Sequence, residues 1–342
     1  MATFTIEELN KALNGALIQK GVTSLFSGIS TDTRTIKKGD VFIALLGENF
    51  DGHEFIDNAI NKGAAGIIIS NKNCLHKVPI QISIFYVNDT KVALENCAYF
   101  HRNRFLIPVI GVTGSNGKTT TTTLTNLMLH ESFPERRTFA CGNIGVPLSQ
   151  LAEDSKETDI YVTELSSFQL MGIEAFRPKV ACIVNIFSAH LDYHGSREEY
   201  VKAKLQITKN QTEEDFLVYN ADFPELYEFI KGHTKATLVP FSRKSVLEHG
   251  AYTDETSIYF NGEAVMPIEA IQVPGVQNIE NVLAAVAISK LQGATNEGIE
   301  KAVRSFHGVK HRTQYVKTIE DRKFYNDSKA TNPVATTTAL SG

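Results

Sequence analysis

A glycine-rich segment between residues 109 and 120 has the residue types needed to hold a nucleotide phosphate. Apolar β-branched residues lead into a turn that ends in Gly117, Lys118 and Thr119. Backbone N–H groups freed by glycine can surround a phosphate, and the N-terminus of the following helix adds partial positive charge. Lys118 would reach the β- and γ-phosphates, and the Thr119 hydroxyl would ligate Mg²⁺. The strict phosphate-loop pattern has glycine where this chain has Val112, so a purely structural turn is the alternative.

Three polar residues follow two other apolar runs. Glu164 ends the run 159–164, and His190 and Asp192 follow the run 180–186. In open α/β sheets ligands gather outside the carboxyl ends of the strands, so these side chains would share an edge with the glycine-rich loop. A carboxylate there suits a Mg²⁺ ion that bridges two phosphates, and His190 favours a metal or phosphate role. Glu164 could instead cap a turn, and His190 could be structural.

Two helical patterns carry further candidates. Lys204 lies on the predicted helix Glu198–Asn210, where a lysine is usually solvated, and nothing in the spacing distinguishes it from Lys202. Asn278 and Asn281 stand three residues apart at the start of an apolar helix. Two amides on one helix face can bond a planar base, although a helix cap and a polar face fit equally well.

The first hundred residues form one compositional unit. It has predicted helices at Ile6–Leu17, Glu54–Asn61 and Lys91–Arg102, strands near 41–46 and 66–70, and a linker at 103–108.

The following unit alternates strands with helices. The predicted strands are Phe105–Val112, Ile160–Glu164, Val180–Ile186, Phe216–Tyr219 and Thr237–Pro240. The predicted helices between and after them are Thr119–Leu129, Glu198–Asn210 and Asn278–Leu291. This alternation predicts an α/β fold with a doubly wound, mainly parallel sheet. A hairpin-like stretch, Thr313–Ile319 and Lys323–Asn326, opens a third unit too short to bury its own core. Either the sequence is a fragment, or this tail packs on the central unit.

Composition excludes several classes of protein. The chain has 342 residues, 42% of them hydrophobic and 21% charged, with a formal net charge of −4. This charge leaves no electrostatic footprint for nucleic acid or an acidic membrane. The four cysteines lack metal or redox spacing and read as buried thiols. Without a signal-like start or a membrane-length apolar run, we expect a cytoplasmic protein.

Several motifs together resemble the Mur ligases, the ATP-dependent amino-acid ligases of peptidoglycan precursor synthesis. They are residues 113–120 (TGSNGKTT), 142–147 (GNIGVP), 164–169 (ELSSFQ), 311–312 (HR) and 326–332 (NDSKATN). The phosphate loop of that family departs from the strict pattern at the same first glycine. The central and C-terminal motifs look most like the D-glutamate-adding members. The segments 30–34 (STDTR), 38–42 (KGDVF) and 51–55 (DGHEF) are instead similar to members that add the third residue or D-Ala-D-Ala.

The resemblance implies a role for each matched position. ATP and one Mg²⁺ ion would be held by Gly114, Ser115, Asn116, Gly117, Lys118, Thr119, Thr120 and Glu164. A second Mg²⁺ ion would lie on His190 and on Lys204, the match to a lysine that CO₂ converts to a carbamate. Asn278 and Asn281 would face adenine, and Arg312, Asp327 and Lys329 would close over the nucleotide. Substrate contacts would come from Ser30, Thr31, Asp32 and Arg34 at the uridine diphosphate end, and from Asn143, Ser166, Gln169 and Thr331.

The resemblance also implies a domain organisation and a reaction. Residues 1–103 would bind UDP-MurNAc, 104–305 would form the ATP-binding ligase domain, and 306–342 would begin a Rossmann-like amino-acid-binding domain. A carboxylate would be activated as an acyl-phosphate and joined to D-glutamate, with release of ADP and phosphate. The alternatives are addition of the third residue or of D-Ala-D-Ala, a truncated non-catalytic ATP- and UDP-sugar-binding protein, and folate polyglutamylation, which would not need the 30–34 pattern. We expect a monomer with small-molecule partners and weak or absent ligation by these 342 residues.

Overall fold

The structure, a computed structural model, describes residues 3–47, 50–102, 104, 107–151, 155–187, 190–312, 314–330 and 336–337. Its contacts divide the chain into two units, Met1–Leu106 and Ile107–Gly342. The sequence division near residue 103 falls close to this boundary.

The first unit is built on a five-stranded sheet with three helices. Its strands are β1 (Phe4–Thr5), β2 (Leu17–Gln19), β3 (Leu25–Phe26), β4 (Ile29–Ser30), β5 (Val41–Ile43), β6 (Leu46–Gly47), β7 (Phe50–Asp51), β8 (Gly66–Ile69) and β9 (Ser83–Tyr86). Its helices are α1 (Ile6–Ala12), α2 (Ile56–Asn61) and α3 (Thr90–Arg102). The sheet order is β2-β9-β8-β5-β4, and all four residues of β8 are buried. Because β8 is buried on both faces, its sequence is a continuous apolar run, and this run is what predicted the strand.

The predicted helix Ile6–Leu17 is too long. A capping box at Thr5 starts α1 as the pattern suggests, but α1 ends at Ala12. Asn14 and Gly15 then adopt positive φ angles of 56° and 84°, which no helix continues through. The chain turns there and enters β2. The predicted helix Glu54–Asn61 likewise begins as a 3₁₀ turn, Gly52–Phe55, before α2.

The second unit contains a nine-stranded sheet. Its strands are β10 (Val109–Thr113), β11 (Thr138–Gly142), β12 (Ile160–Glu164), β13 (Val180–Ile183), β14 (Phe216–Asn220), β15 (Thr237–Ser242), β16 (Ala251–Thr253), β17 (Ser257–Phe260) and β18 (Glu263–Pro267). The order is β11-β12-β10-β13-β14-β15-β16-β17-β18, parallel up to β16 and antiparallel beyond it. The expected α/β fold with a mainly parallel sheet is confirmed. Because the order reverses around β10, the loops after β10, β12 and β13 share one edge.

Eight helices of the described chain flank this sheet. They are α4 (Lys118–Ser132), α5 (Leu148–Leu151), α6 (Ser167–Met171), α7 (Leu191–His194), α8 (Arg197–Leu205), α9 (Pro224–Ile230), α10 (Val276–Leu291) and α11 (Asn296–Ser305). Helices α4, α10 and α11 contribute to the core cluster on one face, and α8 to the cluster on the other. From Asn281 to Ser289 every residue of α10 is buried, and its alanines allow close packing.

Several sequence predictions for this unit need correction. The predicted strand Val180–Ile186 ends at Ile183, and the predicted helix Glu198–Asn210 gives way to a 3₁₀ turn after Leu205. The predicted elements do not include the strands β11 and β16–β18 or the helices α5, α6, α7, α9 and α11. The expected hairpin is confirmed as β19 (Gln314–Ile319) and β20 (Arg322–Asn326).

All four cysteines are buried and free, as their spacing predicts. No helix in the described ranges is both long and apolar enough to cross a bilayer.

Candidate functional site

The glycine-rich loop lies between β10 and α4, as the pattern predicts. Gly117 has φ 81° directly before α4. The left-handed backbone at Gly117 favours glycine, and a Cβ atom there would lie 2.2 Å from Oδ1 of Asn281 on α10 and would displace that amide. The first N–H groups of α4 have no partner within the helix and face the loop. Unpaired N–H groups at a helix N-terminus can bind an anion, and for this loop that role stays a prediction.

Asn185, which the sequence analysis did not select, holds the loop in shape. Its side-chain Oδ1 accepts hydrogen bonds from the amides of Ser115 (3.1 Å) and Asn116 (2.9 Å). The Ser115 hydroxyl also donates to the carbonyl of Phe187 at 3.0 Å. These two amides are therefore already engaged, so an incoming phosphate would meet the amides from Gly117 onward. The signal available in the sequence was a single polar residue near the end of the apolar run 180–186.

Lys118 and Lys204 converge on the loop from different helices. The Nζ atom of Lys118 donates to the carbonyl oxygens of Gly114 (2.9 Å) and Ser115 (3.1 Å). The Nζ atom of Lys204 donates to the same Gly114 oxygen at 2.8 Å. Only 1% of Lys204 is exposed, so the solvated-face alternative is wrong for this side chain.

Burial shapes the charge of this lysine pair. It lowers the pKa of Lys118, with Arg312 acting in the same direction and Glu164 opposing it. The pKa of Lys204 falls well below its ordinary value, because desolvation and the neighbouring Lys118 both disfavour its ammonium form. The ring of Tyr200 lies 4.7 Å from Lys204 Nζ, and its hydroxyl is 2.9 Å from the Ser115 hydroxyl. This amine is thus buried, positioned and poised toward its uncharged form.

Glu164 ends β12 and has an unused carboxylate oxygen. Its Oε1 accepts a hydrogen bond from Asn143 Nδ2 at 2.9 Å, whereas the buried Oε2 has no hydrogen-bond partner in the described structure. Only 2% of the residue is exposed. Glu164 pairs with Val112 on β10 in the strand register. Its carboxylate therefore lies at the edge of the sheet where the glycine-rich loop follows β10. An unpartnered buried carboxylate oxygen fits a cation.

The chemistry around Glu164 suits Mg²⁺ better than a protein-enclosed metal. The described residues contain no group of three or more His, Cys, Asp or Glu side chains that could hold an ion. Mg²⁺ typically takes one or two protein oxygens and fills its shell with phosphate and water. Glu164 and the buried hydroxyl-bearing Thr119 supply that kind of donor set.

His190 lies in an aromatic group at the same edge. Its backbone is left-handed (φ 55°), and its exposed ring lies 5.4 Å from that of Phe168 on α6. Phe168 also packs on Tyr193 and His194, and His194 Nε2 is 3.0 Å from the Ser167 hydroxyl. The structure thus brings His190 beside the helix that follows Glu164. A metal role for it stays a prediction.

A cavity of about 770 Å³ opens beside the loop. Asn278 and Asn281 line it, with Asn281 Nδ2 donating to Asn278 Oδ1 at 3.2 Å. Arg312 and Asp327 lie in the same wall, and among the described residues the buried Nε of Arg312 has no hydrogen-bond partner. Lys329 is exposed, and its amide donates to the His311 carbonyl.

Several residues that we expect to contact the muramoyl substrate make hydrogen bonds within the protein. Ser166 and Gln169 form a capping box at the start of α6, and both are exposed or half-exposed. The exposed Asn143 holds Glu164, as described above. Thr331 lies outside the described residues.

The expected uridine-diphosphate segment forms a hydrogen-bonded turn in the first unit. The Ser30 hydroxyl accepts the amide of Asp32 at 3.2 Å, and Arg34 binds the Asp32 carboxylate through Nε and Nη2. Hydrogen bonds from Arg34 lower the pKa of Asp32 to about 2. Arg34 and Thr31 are exposed, so a diphosphate could replace the internal ion pair.

Comparison with known proteins decides the family. The Mur ligase middle domain matches residues 112–289, and a second model, Mur ligase family, catalytic domain, matches residues 25–110. The chain belongs to the Mur ligase family. Among Mur ligases, the UDP-N-acetylmuramoylalanine--D-glutamate ligase of Limosilactobacillus reuteri is 44% identical over 92% of this chain and 68% of its own length. That of Ligilactobacillus salivarius is 52% identical over 68% of this chain and 51% of its own length. The chain thus spans about half the length of several such relatives.

Solved Mur ligase structures share the fold. MurF from Acinetobacter baumannii superposes with a TM-score of 0.72 at 23% identity, covering 99% of this chain and 76% of that one. MurF from Thermotoga maritima, solved in complex with ADP, gives a TM-score of 0.66 at 25% identity, with coverages of 92% and 73%.

Proposed function

We propose that this Mur ligase joins D-glutamate to UDP-N-acetylmuramoyl-L-alanine at the expense of ATP. The relatives quoted above carry that activity in their names. The observation that carries the proposal is the unpartnered Oε2 of Glu164 at the sheet edge where Lys118 follows the glycine-rich loop. A phosphate-binding loop beside a buried cation ligand is the arrangement that phosphoryl transfer from ATP requires.

The proposed reaction has two steps. A substrate carboxylate oxygen bonds to the γ-phosphorus while the bond to the β-phosphate oxygen breaks, giving an acyl-phosphate and ADP. The amine of D-glutamate then bonds to the acyl carbon, loses a proton, and expels phosphate. Two anions meet in the first step, so Lys118 would leave its carbonyl partners and neutralise the charge that develops on the phosphates.

Cations would complete this charge balance. Thr119 and Glu164 would hold one Mg²⁺ ion and His190 and Lys204 a second, and Mg²⁺ supplies positive charge to the phosphates. For Lys204 we propose the carbamate implied by the family resemblance: the uncharged amine bonds to the carbon of CO₂ and loses a proton, leaving an anionic oxygen donor. Burial that favours the uncharged amine supports this assignment.

The remaining assignments follow the resemblance. Ser30, Thr31, Asp32 and Arg34 would bind the uridine diphosphate, and Asn143, Ser166, Gln169 and Thr331 the muramoyl peptide. Asn278 and Asn281 would bind adenine, with Arg312, Asp327 and Lys329 closing over the nucleotide. We propose three functional domains, 1–103, 104–305 and 306–342, in a cytoplasmic monomer.

One observation favours a second candidate. The solved structures that match nearly the whole chain are of MurF, whose name in one case includes D-alanyl-D-alanyl ligase. A D-Ala-D-Ala-adding activity is therefore the alternative.

A substrate panel separates the two candidates. Phosphate release is measured with UDP-MurNAc-L-Ala and with the longer UDP-MurNAc peptides, each against D-glutamate, diamino acids and D-Ala-D-Ala. The assay uses this chain and, where the natural protein is longer, that protein as well. We expect turnover with UDP-MurNAc-L-Ala and D-glutamate, which for the 342 residues by themselves is weak. Turnover confined to a longer peptide and D-Ala-D-Ala would establish the alternative instead.

A further inference from the structure

Glu280 lies in the wall of the cavity, and the phosphate chemistry gives it no role. Its Oε1 accepts a hydrogen bond from Arg243 Nε, and its Oε2 accepts one from Asn220 Nδ2, both at 3.3 Å. A carboxylate offers about four acceptor positions, so two such bonds leave capacity for further donors. Since Glu280 lines the cavity, a bound molecule can use that capacity.

The partners of Glu280 fix how far it lies from the phosphate loop. Asn220 ends β14, and Arg243 directly follows β15. In the sheet β14 is two strands from β10 and β15 is three, which at about 5 Å per strand places them roughly 10 and 15 Å away. Gly117 and Thr120 line the same cavity close to β10. Glu280 therefore lies toward the end of the cavity that is farther from the loop. A nucleoside would occupy that end if its phosphates were bound at the loop.

The surroundings of Glu280 suit a nucleoside. Phe187 and Phe223 line the same cavity, with their ring centroids 5.4 Å apart, and offer apolar surface to a base. Arg243 is itself positioned, because its amide donates to Asp222 Oδ2 at 2.9 Å. Burial raises the pKa of Glu280, whereas the Arg243 guanidinium opposes that shift and favours the carboxylate. An ionised carboxylate accepts hydrogen bonds and donates none.

We propose that Glu280 recognises the hydrogen-bond donors of the nucleoside of ATP, and that Arg243 positions it. The inference rests on the proposed function in taking this cavity as the ATP site. The donors are either the adenine amino group or the ribose hydroxyls, which share the chemistry of donation to a carboxylate. Glu280 thus acts as a specificity-determining residue, distinct from the loop that binds the phosphates.

The test measures binding by calorimetry at constant MgCl₂. The ligands are ATP, purine riboside triphosphate, 2′-deoxyATP, 3′-deoxyATP and inorganic triphosphate. Glu280→Gln is compared with Glu297→Gln, a change at an exposed position on α11. We expect Glu280→Gln to bind ATP about 10-fold more weakly and to bind triphosphate unchanged. The analogue that lacks the recognised donor should bind wild type and Glu280→Gln with equal affinity. That analogue shows whether Glu280 accepts from the adenine amino group or from a ribose hydroxyl.

Two results would overturn the proposal: Glu280→Gln binding ATP like Glu297→Gln, or losing affinity for triphosphate as much as for ATP. For Arg243→Met we expect the preference for ATP over the analogue that lacks the recognised donor to be smaller than in wild type. An equal loss for both ligands would reduce Arg243 to a structural residue and overturn its positioning role. A wild-type chain that binds no nucleotide at all would instead refute the proposed function, so the two failures are distinguishable.

Discussion

Lys118 and Lys204 donate to the same carbonyl oxygen, that of Gly114, at 2.9 and 2.8 Å. The charge of Lys118 lies close to the Lys204 amine, and this repulsion adds to burial in lowering the pKa of Lys204. A bound phosphate would relieve this repulsion by giving Lys118 an anionic partner. The pair therefore links the glycine-rich loop to the helix that carries Lys204.

Replacing Lys118 with alanine should abolish most ATP turnover. The substitution removes the charge that would neutralise the transferring phosphate, and losses for such groups are roughly 10²- to 10³-fold or more. The rate of ADP release measures the effect. Lys202→Ala, at an exposed lysine paired with Glu199, is the control. Near-normal turnover by Lys118→Ala would refute the role assigned to it.

Lys204→Ala should also lose activity, and a short carboxylic acid such as acetate should restore part of it. The acid would supply the anionic oxygen that the proposed carbamate provides. Lys202→Ala is again the matched control, since it lies on α8 two residues away but is exposed. A ¹³C signal from labelled bicarbonate, present in wild type and absent from Lys204→Ala, would identify the carbamate. Full activity of Lys204→Ala would rule it out.

Glu164→Gln should remove much of the gain in ATP affinity that Mg²⁺ confers. The amide keeps the shape of the side chain and its contact with Asn143 but lacks the negative charge that a cation requires. Calorimetric titration with ATP, in MgCl₂ and in EDTA, separates the two contributions. Glu174→Gln, at an exposed position after α6, controls for the change of charge. An unchanged Mg²⁺ effect in Glu164→Gln would contradict the assignment.

Gly117→Ala should destabilise the protein more than Gly232→Ala. The two glycines have nearly identical φ angles, 81° and 80°, so each alanine bears a similar backbone strain. At Gly117 the new Cβ would also lie 2.2 Å from Asn281 Oδ1, whereas nothing lies within 4 Å at Gly232. We expect about 1–3 kcal/mol less unfolding free energy for Gly117→Ala and weakened ATP binding. Equal urea midpoints for the two variants would be inconsistent with this packing.

Asp215→Asn should be destabilising at pH 7 and less so in acid. Burial alone would raise the pKa of Asp215, but hydrogen bonds from Arg177 and the Thr212 amide outweigh it and lower the pKa below its ordinary 3.8. The stabilisation is therefore complete above pH 3.8 and is lost as pH falls through the folded-state value. We expect a loss of roughly 1–3 kcal/mol at pH 7, shrinking below pH 4.

Glu214→Gln is the matched control for Asp215→Asn. Glu214 lies next to Asp215 and 3.6 Å from the same arginine, but 81% of its side chain is exposed. Exposed ion pairs contribute little to stability, so this variant should unfold like wild type. Melting temperatures between pH 3 and pH 7 measure both variants. Equal stability of the two at pH 7 would show that Asp215 has no special role.

The sequence predicted the sheet edge and its loop because those signals are local. Apolar runs of five to eight residues marked β10, β12 and β13, and each is followed by polar residues. In a parallel sheet with crossover helices the carboxyl ends of such strands must meet at one edge. From that rule alone, the sequence analysis predicted that Glu164 lies at the same sheet edge as the glycine-rich loop.

Lys204 could not be separated from Lys202 by sequence because both lie on the same short helix. Only the packing of α8 over the end of β10 buries one lysine and exposes the other, and that packing involves residues far apart in the chain. Asn185 escaped prediction for a related reason, since its role is to bond backbone amides seventy positions earlier. The strand β11 was likewise missed because it depends on pairing with β12, about twenty residues later in the chain.

The place of β10 in the middle of the sheet has a consequence for biosynthesis. Ile110 pairs with Val162 on one side and with Val180 on the other, so both neighbours of β10 are made long after it. Parallel pairings between distant residues also close slowly, because the intervening chain must first be ordered. On the ribosome the glycine-rich loop would emerge without its supporting strands, and Asn185 would arrive later still. The loop should therefore reach its final shape abruptly during translation, once residues beyond 187 have left the exit tunnel.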